Sequence, residues 1–185
     1  MSENNVYSFI AGYLKEYKIP VGRQSAENSP NTNKTLKIKE FGFFVRIKNH
    51  FDIKGVISPE GINLFNKIVE LPVISYIPVN SKTELNNSHL IAGNLCSVDE
   101  LRSIEKLAVK CNSLLRPYFL RRNHHLLQLE LYFISELGSV QLKPDFNSKQ
   151  FLLTGTENVS DNYIVKRNKI TDINSIINYL KADDN

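Results

Sequence analysis

The chain has 185 residues, 42% hydrophobic and 23% charged, with 8 Gly and 7 Pro. That excludes collagen-like and Pro-rich disordered chains and fits one ordinary globular domain over 1–185, able to bury roughly 70% of its unfolded surface without a disulfide or metal. The formal charge of +4 is far from the dense positive charge of a dedicated nucleic-acid binder, and the 21 Asn read as the compositional bias of an AT-rich genome before any function.

Along the chain, Ser2 can cap a first helix. Its apolar stripe is Val6, Phe9, Ile10, Tyr13, Leu14 and Tyr17, and Pro20 and Gly22 end it. No basic stretch followed by an apolar one opens the chain, so no secretory leader is read there. Residues 22–34 are polar and aperiodic, a mobile loop. Leu36 and Ile38, then Phe41, Phe43, Val45 and Ile47, alternate with charged residues as strands do. The apolar phase slips at Glu40–Phe41, which calls for a bulge or break. Phe51, Ile53 and Ile57 suggest a further short strand, and Ser58-Pro59-Glu60-Gly61 suits a type I turn.

Val73–Val79 is β-branched but bounded by Pro72 and Pro78, so it belongs on a sheet edge. Residues 80–88 form a second mobile loop. Ser97-Val98-Asp99-Glu100 is a capping box. It opens a helix over 98–115 with Leu101, Ile104, Ala108, Cys111 and Leu115 on one face, ending at Pro117. Leu127, Leu129, Leu131 and Phe133 alternate with polar residues as a strand. Short strands follow at Val140–Lys143, Phe151–Leu153 and Tyr163–Lys166. A last helix starts near Asp172, and residues 183–185 fray. The fold expected is α+β: short antiparallel or mixed strands packed with about three helices.

No phosphate-binding glycine loop, metalloprotease motif or nucleophile elbow is present. His124 and His125 are adjacent, so on a strand they point to opposite faces and cannot share a metal. Cys96 and Cys111 form no Cys-x-x-Cys pair and are expected as reduced, buried thiols. The acids are scattered, and Glu130 and Glu136 are no better placed than any others. Neither catalytic residues, a metal nor a cofactor is expected, and the protein reads as a non-enzyme. No apolar run approaches the ~18 residues of a membrane span. The expected location is the cytoplasm, without membrane insertion.

Arg116, Arg121, Arg122, His124 and His125 cluster around Tyr118 and Phe119. Cations interleaved with aromatics suit single-stranded nucleic acid and equally a protein partner. The aromatic run at Phe41 and Phe43 suggests burial against another subunit.

Three patches, in order, resemble the TssG family of type VI secretion baseplate subunits. The first is Tyr7-Ser8-Phe9-Ile10-Ala11-Gly12-Tyr13-Leu14 with Val21-Gly22, and the second is Lys54-Gly55-Val56-Ile57-Ser58-Pro59-Glu60-Gly61. The third is Ala92-Gly93-Asn94-Leu95 with Leu114-Leu115-Arg116-Pro117-Tyr118-Phe119. The family's central segment, rich in His, Arg, Tyr and Trp, has no counterpart here. The resemblance implies a non-catalytic structural subunit of a contractile injection baseplate, with other protein subunits as partners. The alternative is a small nucleic-acid-binding protein using residues 116–125. The candidate partner-binding residues are Phe41, Phe43, Ser58, Pro59, Glu60, Gly61, Arg116, Tyr118, Phe119, Arg121 and Arg122.

Overall fold

Four antiparallel strands form the central layer, and a long helix lies across one face of it. The computed structural model describes residues 4–22, 38–144 and 146–165. Its elements are α1 (Asn4–Glu16), β1 (Ile38–Glu40), β2 (Phe43–His50), β3 (Ile68–Pro78), α2 (Asn87–Ala92) and α3 (Val98–Leu120). β4 (His124–Leu131), β5 (Phe133–Glu136), β6 (Ser139–Leu142), β7 (Phe151–Gly155), β8 (Val159–Ser160) and β9 (Tyr163–Ile164) follow. The central sheet has the order β3-β2-β4-β7 with α3 across one face, a second sheet has the order β1-β5-β6, and β8 pairs with β9. The expected α+β class is what the structure has. The rest of the predicted 22–34 loop after Gly22, the helix from Asp172 and the 183–185 tail lie outside the described residues.

The phase slip at Glu40–Phe41 is a true break: β1 ends at Glu40 and joins a different sheet from β2. The same happens between β4 and β5 at Tyr132, where one alternating run splits across both sheets. β3 lies at the sheet edge, as its prolines require, but runs for 11 residues. The strand expected at Phe51–Ile57 is not formed. That stretch holds turns and a single bridge, Ile57 to Asn63, because Gly55 and Gly61 both take positive φ.

The Ser97 capping box is made in full: Ser97 Oγ accepts from the Glu100 N–H, and the Glu100 carboxylate accepts from the Ser97 N–H. α3 then runs through Pro117 to Leu120 rather than stopping there. Tyr118 and Phe119 are buried, in ring contact with Phe9, Tyr13 and Phe151, and this packing holds the last turn in spite of the missing N–H. The loop expected at 80–88 is partly ordered by pairing. Leu85 exchanges two backbone hydrogen bonds with Tyr76, and Asn86 caps α2.

The core lies between α3, α1 and the sheet. Leu101, Ile104, Ala108, Cys111 and Leu115 are all buried on one helical stripe, against Val45, Ile47, Leu129 and Leu131. Asn49 and Asn112 are buried too, and each amide donates to the other's oxygen at 2.9 Å, locking α3 to β2. Cys96 and Cys111 are free and buried. No helix among the described residues is long and apolar enough to cross a membrane.

Candidate functional site

β2 is central and buried on both faces, so its polar phase cannot be a solvated one. Val45, Ile47 and Asn49 point to α3. Arg46 and Lys48 therefore point to the far face. The register places Glu130 of β4 directly opposite Arg46, Gln128 opposite Lys48, and Ser75 of β3 opposite Arg46 on the other side. The bridge between Leu85 and Tyr76 holds the neighbouring Glu84 along the outer edge of β3, from which its side chain reaches β2.

Together these residues form one ionic cluster. Arg46 Nε and Nη2 both lie 2.9 Å from Glu130 Oε1. Its outer nitrogen, Nη1, is 3.7 Å from Glu84 Oε1. That same oxygen accepts from Lys48 Nζ at 2.7 Å, and Asp52 Oδ2 lies 2.9 Å from Nζ. Gln128 Nε2 donates to Glu130 Oε1 at 3.1 Å. Arg46 is thus clamped along one edge and loosely held at the other. A single carboxylate oxygen, on a side chain 44% exposed, sits between two cations.

Burial pulls the Lys48 ammonium down, but hydrogen bonds to Glu84 and Asp52 outweigh it and hold its pKa above the ordinary lysine value. Ser75 is 7% exposed, and its Oγ has no hydrogen-bond partner among the described residues. At the strand position opposite Arg46, this hydroxyl has its hydrogen-bonding capacity unused. Tyr132 stacks on Phe44 at 5.0 Å between centroids, and the Arg46 guanidinium lies 5.6 Å from the Phe44 ring. Burial, then Glu130, pushes the Tyr132 phenol up, so it stays a neutral donor. Among the described residues no group of three His, Cys, Asp or Glu side chains is arranged to hold a metal ion. The arrangement can hold one anionic oxygen between Arg46 and Lys48, with a hydroxyl alongside.

The residues singled out from sequence lie elsewhere and do not converge on one site. Phe41, Phe43, Tyr118 and Phe119 are core side chains, exposed by 6%, 2%, 3% and 0%. Ser58, Pro59, Glu60 and Gly61 form the expected exposed turn, with the Gly61 N–H donating to the Ser58 carbonyl at 2.9 Å and Gly61 φ at +80°. The Ser58 side chain holds the Glu60 carboxyl below its usual value. Arg121 closes α3 through its backbone N–H. Arg122 lies 3.9 Å over the Tyr118 ring and donates to the Tyr118 carbonyl. Arg116 donates to the Glu70 carbonyl at 3.0 Å and lines a cavity of about 410 Å³.

Arg46, Lys48, Asp52, Ser75, Glu84 and Glu130 were not found by sequence reasoning. The signal available was the strand itself. Two cations alternate with Val45 and Ile47 in a segment whose opening Phe41-Gly42-Phe43-Phe44 is too apolar for a surface strand.

No protein-family model matches the chain, and no curated protein does. Solved structures do. The chain is similar to SAICAR synthase of Saccharomyces cerevisiae complexed with SAICAR, at 12% identity and a TM-score of 0.67, covering 97% of this chain and 69% of that one. It is similar to phosphoribosylaminoimidazole-succinocarboxamide synthase of Ehrlichia chaffeensis, at 18% identity and 0.64, covering 96% and 73%. A SAICAR synthetase in complex with ADP matches at 16% and 0.63, covering 84% and 66%. The chain thus spans about two thirds to three quarters of the length of these neighbours. At such identities the likeness is one of fold.

This fold overturns the resemblance to TssG baseplate subunits, and with it the assembly-subunit reading, its interaction and type VI secretion associations, and the expectation of a non-enzyme. The three patches that carried it are a helix, an exposed Pro-Gly turn and two helix ends, local devices that recur on unrelated folds. The nucleic-acid alternative loses the exposed aromatics it was built on. Tyr118 and Phe119 are buried and cannot stack on bases, and Arg122 is already stacked on Tyr118.

Proposed function

We propose that the chain is a ligase-type enzyme acting on a small phosphorylated or carboxylated metabolite together with an adenine nucleotide. The observation that carries this reading is an anion-holding point on a fold that solved SAICAR synthetases share along 96–97% of this chain. Fold alone does not give activity. The support comes from the match between the point's chemistry and the ligands recorded in those neighbours, ADP in one and SAICAR in another. The long form of the product name joins a phosphoribosyl group to a succinocarboxamide. That is an organic polyanion, which needs fixed, charged donors.

In this reading Glu84 Oε1 marks where a substrate oxygen sits. The exposed Glu84 side chain swings away, and a carboxylate or phosphate oxygen takes its place between Arg46 Nη1 and Lys48 Nζ. Glu130 keeps the other edge of Arg46 in register, and Asp52 keeps Lys48 in place. The cations are not reorganised when the ligand arrives, which is how a preorganised site saves binding free energy. Tyr132 and Phe44 wall the site and keep water from one side.

Calorimetric titration of the full chain with ADP and with SAICAR tests the reading. Saturable SAICAR binding that weakens at least tenfold in Arg46→Gln is expected, since a charge-assisted hydrogen bond is worth about 1.5–3 kcal/mol. Catalysis is read in reverse: as the succinocarboxamide amide of SAICAR is cleaved to a carboxylate and a free amine, ADP and phosphate should combine to ATP, detected with luciferase, and Arg46→Gln should abolish it. A folded chain that binds neither ligand sinks the proposal.

A further inference from the structure

Residues 51–67, between β2 and β3, fold back onto their own base. The Phe51 N–H donates to the Lys67 carbonyl and the Asn66 N–H to the Phe51 carbonyl, both at 2.7 Å. The β8–β9 turn is tied on by Ile68 N–H to the Asn162 carbonyl at 2.7 Å and Ile164 N–H to the Asn66 carbonyl at 3.0 Å. Where this base meets α3 there is a cavity of about 410 Å³. Its walls are held by backbone hydrogen bonds, so it is already formed, and its size lies within the range of about 300–1,000 Å³ usual for small-molecule sites.

Phe51, Leu64 and Ile68 give the cavity an apolar wall, and Lys67 and Arg116 bring two cations to it against one acid, Glu70. Arg116 Nη1 donates to the Glu70 backbone carbonyl. Among the described residues neither Arg116 nor Lys67 makes an ion pair with a carboxylate. The Arg116 guanidinium is half-buried, and desolvation pulls its pKa down, with Glu70 partly opposing. A partly desolvated guanidinium with unused donors is costly to hold, and an anion that accepts from its planar fork removes that cost. Bare phosphate would leave the apolar wall uncovered.

We propose that this cavity binds a small organic anion, a carboxylate or phosphate ester on an apolar body, held by Arg116 and Lys67. The site is separate from the Arg46–Lys48 point: Arg116 belongs to α3, which packs on the other face of the sheet. The proposal stands whether or not that point is catalytic.

The test is an NMR titration of the full chain with phenyl phosphate, with inorganic phosphate and benzyl alcohol as comparators. Phenyl phosphate should give saturable shifts at the backbone amides of 67–70 and 162, with weaker binding of inorganic phosphate and none of benzyl alcohol. Arg116→Gln should weaken binding at least tenfold, and Glu70→Gln should tighten it several-fold. His125 gives an independent reading. Burial and then Arg116 hold its pKa down, so an anion on Arg116 should raise it. If Arg116→Gln unfolds, Lys67→Gln replaces it, with a several-fold loss expected. Any one of three results overturns the proposal: no saturable shifts at millimolar phenyl phosphate, equal shifts with benzyl alcohol, or shifts confined to 45–48 and 130.

Discussion

The two faces of the central sheet are built from the same strands and differ in almost everything else. Toward α3, Val45, Ile47, Leu129 and Leu131 are fully buried and meet Ile104, Ala108, Cys111 and Leu115. On the far side, one or two residues along the same strands, Arg46 pairs with Glu130 at 2.9 Å and Lys48 with Glu84 and Asp52 at 2.7 and 2.9 Å, the two groups meeting at 3.7 Å between Arg46 and Glu84. Strand alternation separates an apolar face that holds the fold from a charged face that can meet a ligand. The cost of burying Lys48 is offset because two acids, Glu84 and Asp52, hydrogen-bond its ammonium. Nearly all the stability should come from the first face, and nearly all anion recognition on this sheet from the second.

The strongest way to break that division is to empty the apolar face. Ile104 is 0% exposed and Leu101 5%. Ile104→Ala or Leu101→Ala should cost about 2–5 kcal/mol in denaturant melts, from lost transfer free energy plus the cavity left behind. Near-zero loss at both sites would mean that α3 does not carry the core.

Cys111 tests the same face through pH. Burial pushes its thiol up to about 12, above the ordinary value near 9. A raised folded value favours the neutral form, so its contribution is complete below pH 9 and is lost as pH climbs toward 12. The stability gap between wild type and Cys111→Ala should shrink over that window by on the order of a few kcal/mol. A constant gap would show that the thiol is not held in an apolar site.

How much of this was legible in the sequence differs between the faces. The α3 stripe, a pattern with a 3.6-residue period, and its capping box were readable up to Pro117, past which the helix runs on to Leu120. The break at Glu40–Phe41 was readable as a change of phase. The charged cluster was not, because it joins residues from 46–52, 75, 84 and 130, and only strand register brings them together. Glu84 stands in a stretch that reads as a loop, and its placement depends on a single backbone bridge to Tyr76. The basic-aromatic cluster after α3 misled for the opposite reason. It is adjacent in sequence, but Tyr118 and Phe119 turn inward.

Asn49 and Asn112 are a polar pair on the apolar face, and they sharpen the comparison. Asn49 also donates to the Leu126 carbonyl at 3.0 Å. Asn49→Ala strands a buried Asn112 amide and should cost about 1–3 kcal/mol. Asn112→Ala in the same background should then cost much less than it does alone, because the coupled groups are lost only once. Strict additivity in the double-mutant cycle would mean the two amides do not depend on each other.

Glu84→Gln should have the smallest effect on stability and an informative one on the far face. Its side chain is 44% exposed, so screening limits its ion pairs, and the change should cost no more than about 1 kcal/mol. Its consequences for Lys48 run further. The wild-type ammonium has a raised pKa, so the stabilisation it carries is present below the ordinary lysine value and lost as pH rises through the higher folded one. Without the Glu84 carboxylate, Asp52 alone opposes desolvation. The Lys48 pKa should fall, moving that alkaline loss to lower pH, as read from the ¹⁵Nζ titration of Lys48. The same change removes the negative charge from the point between Arg46 and Lys48, so anions should bind there several-fold more tightly than in wild type. A lower Lys48 pKa without tighter anion binding would leave the ion pair intact as structure and refute Glu84 as the placeholder for a substrate oxygen.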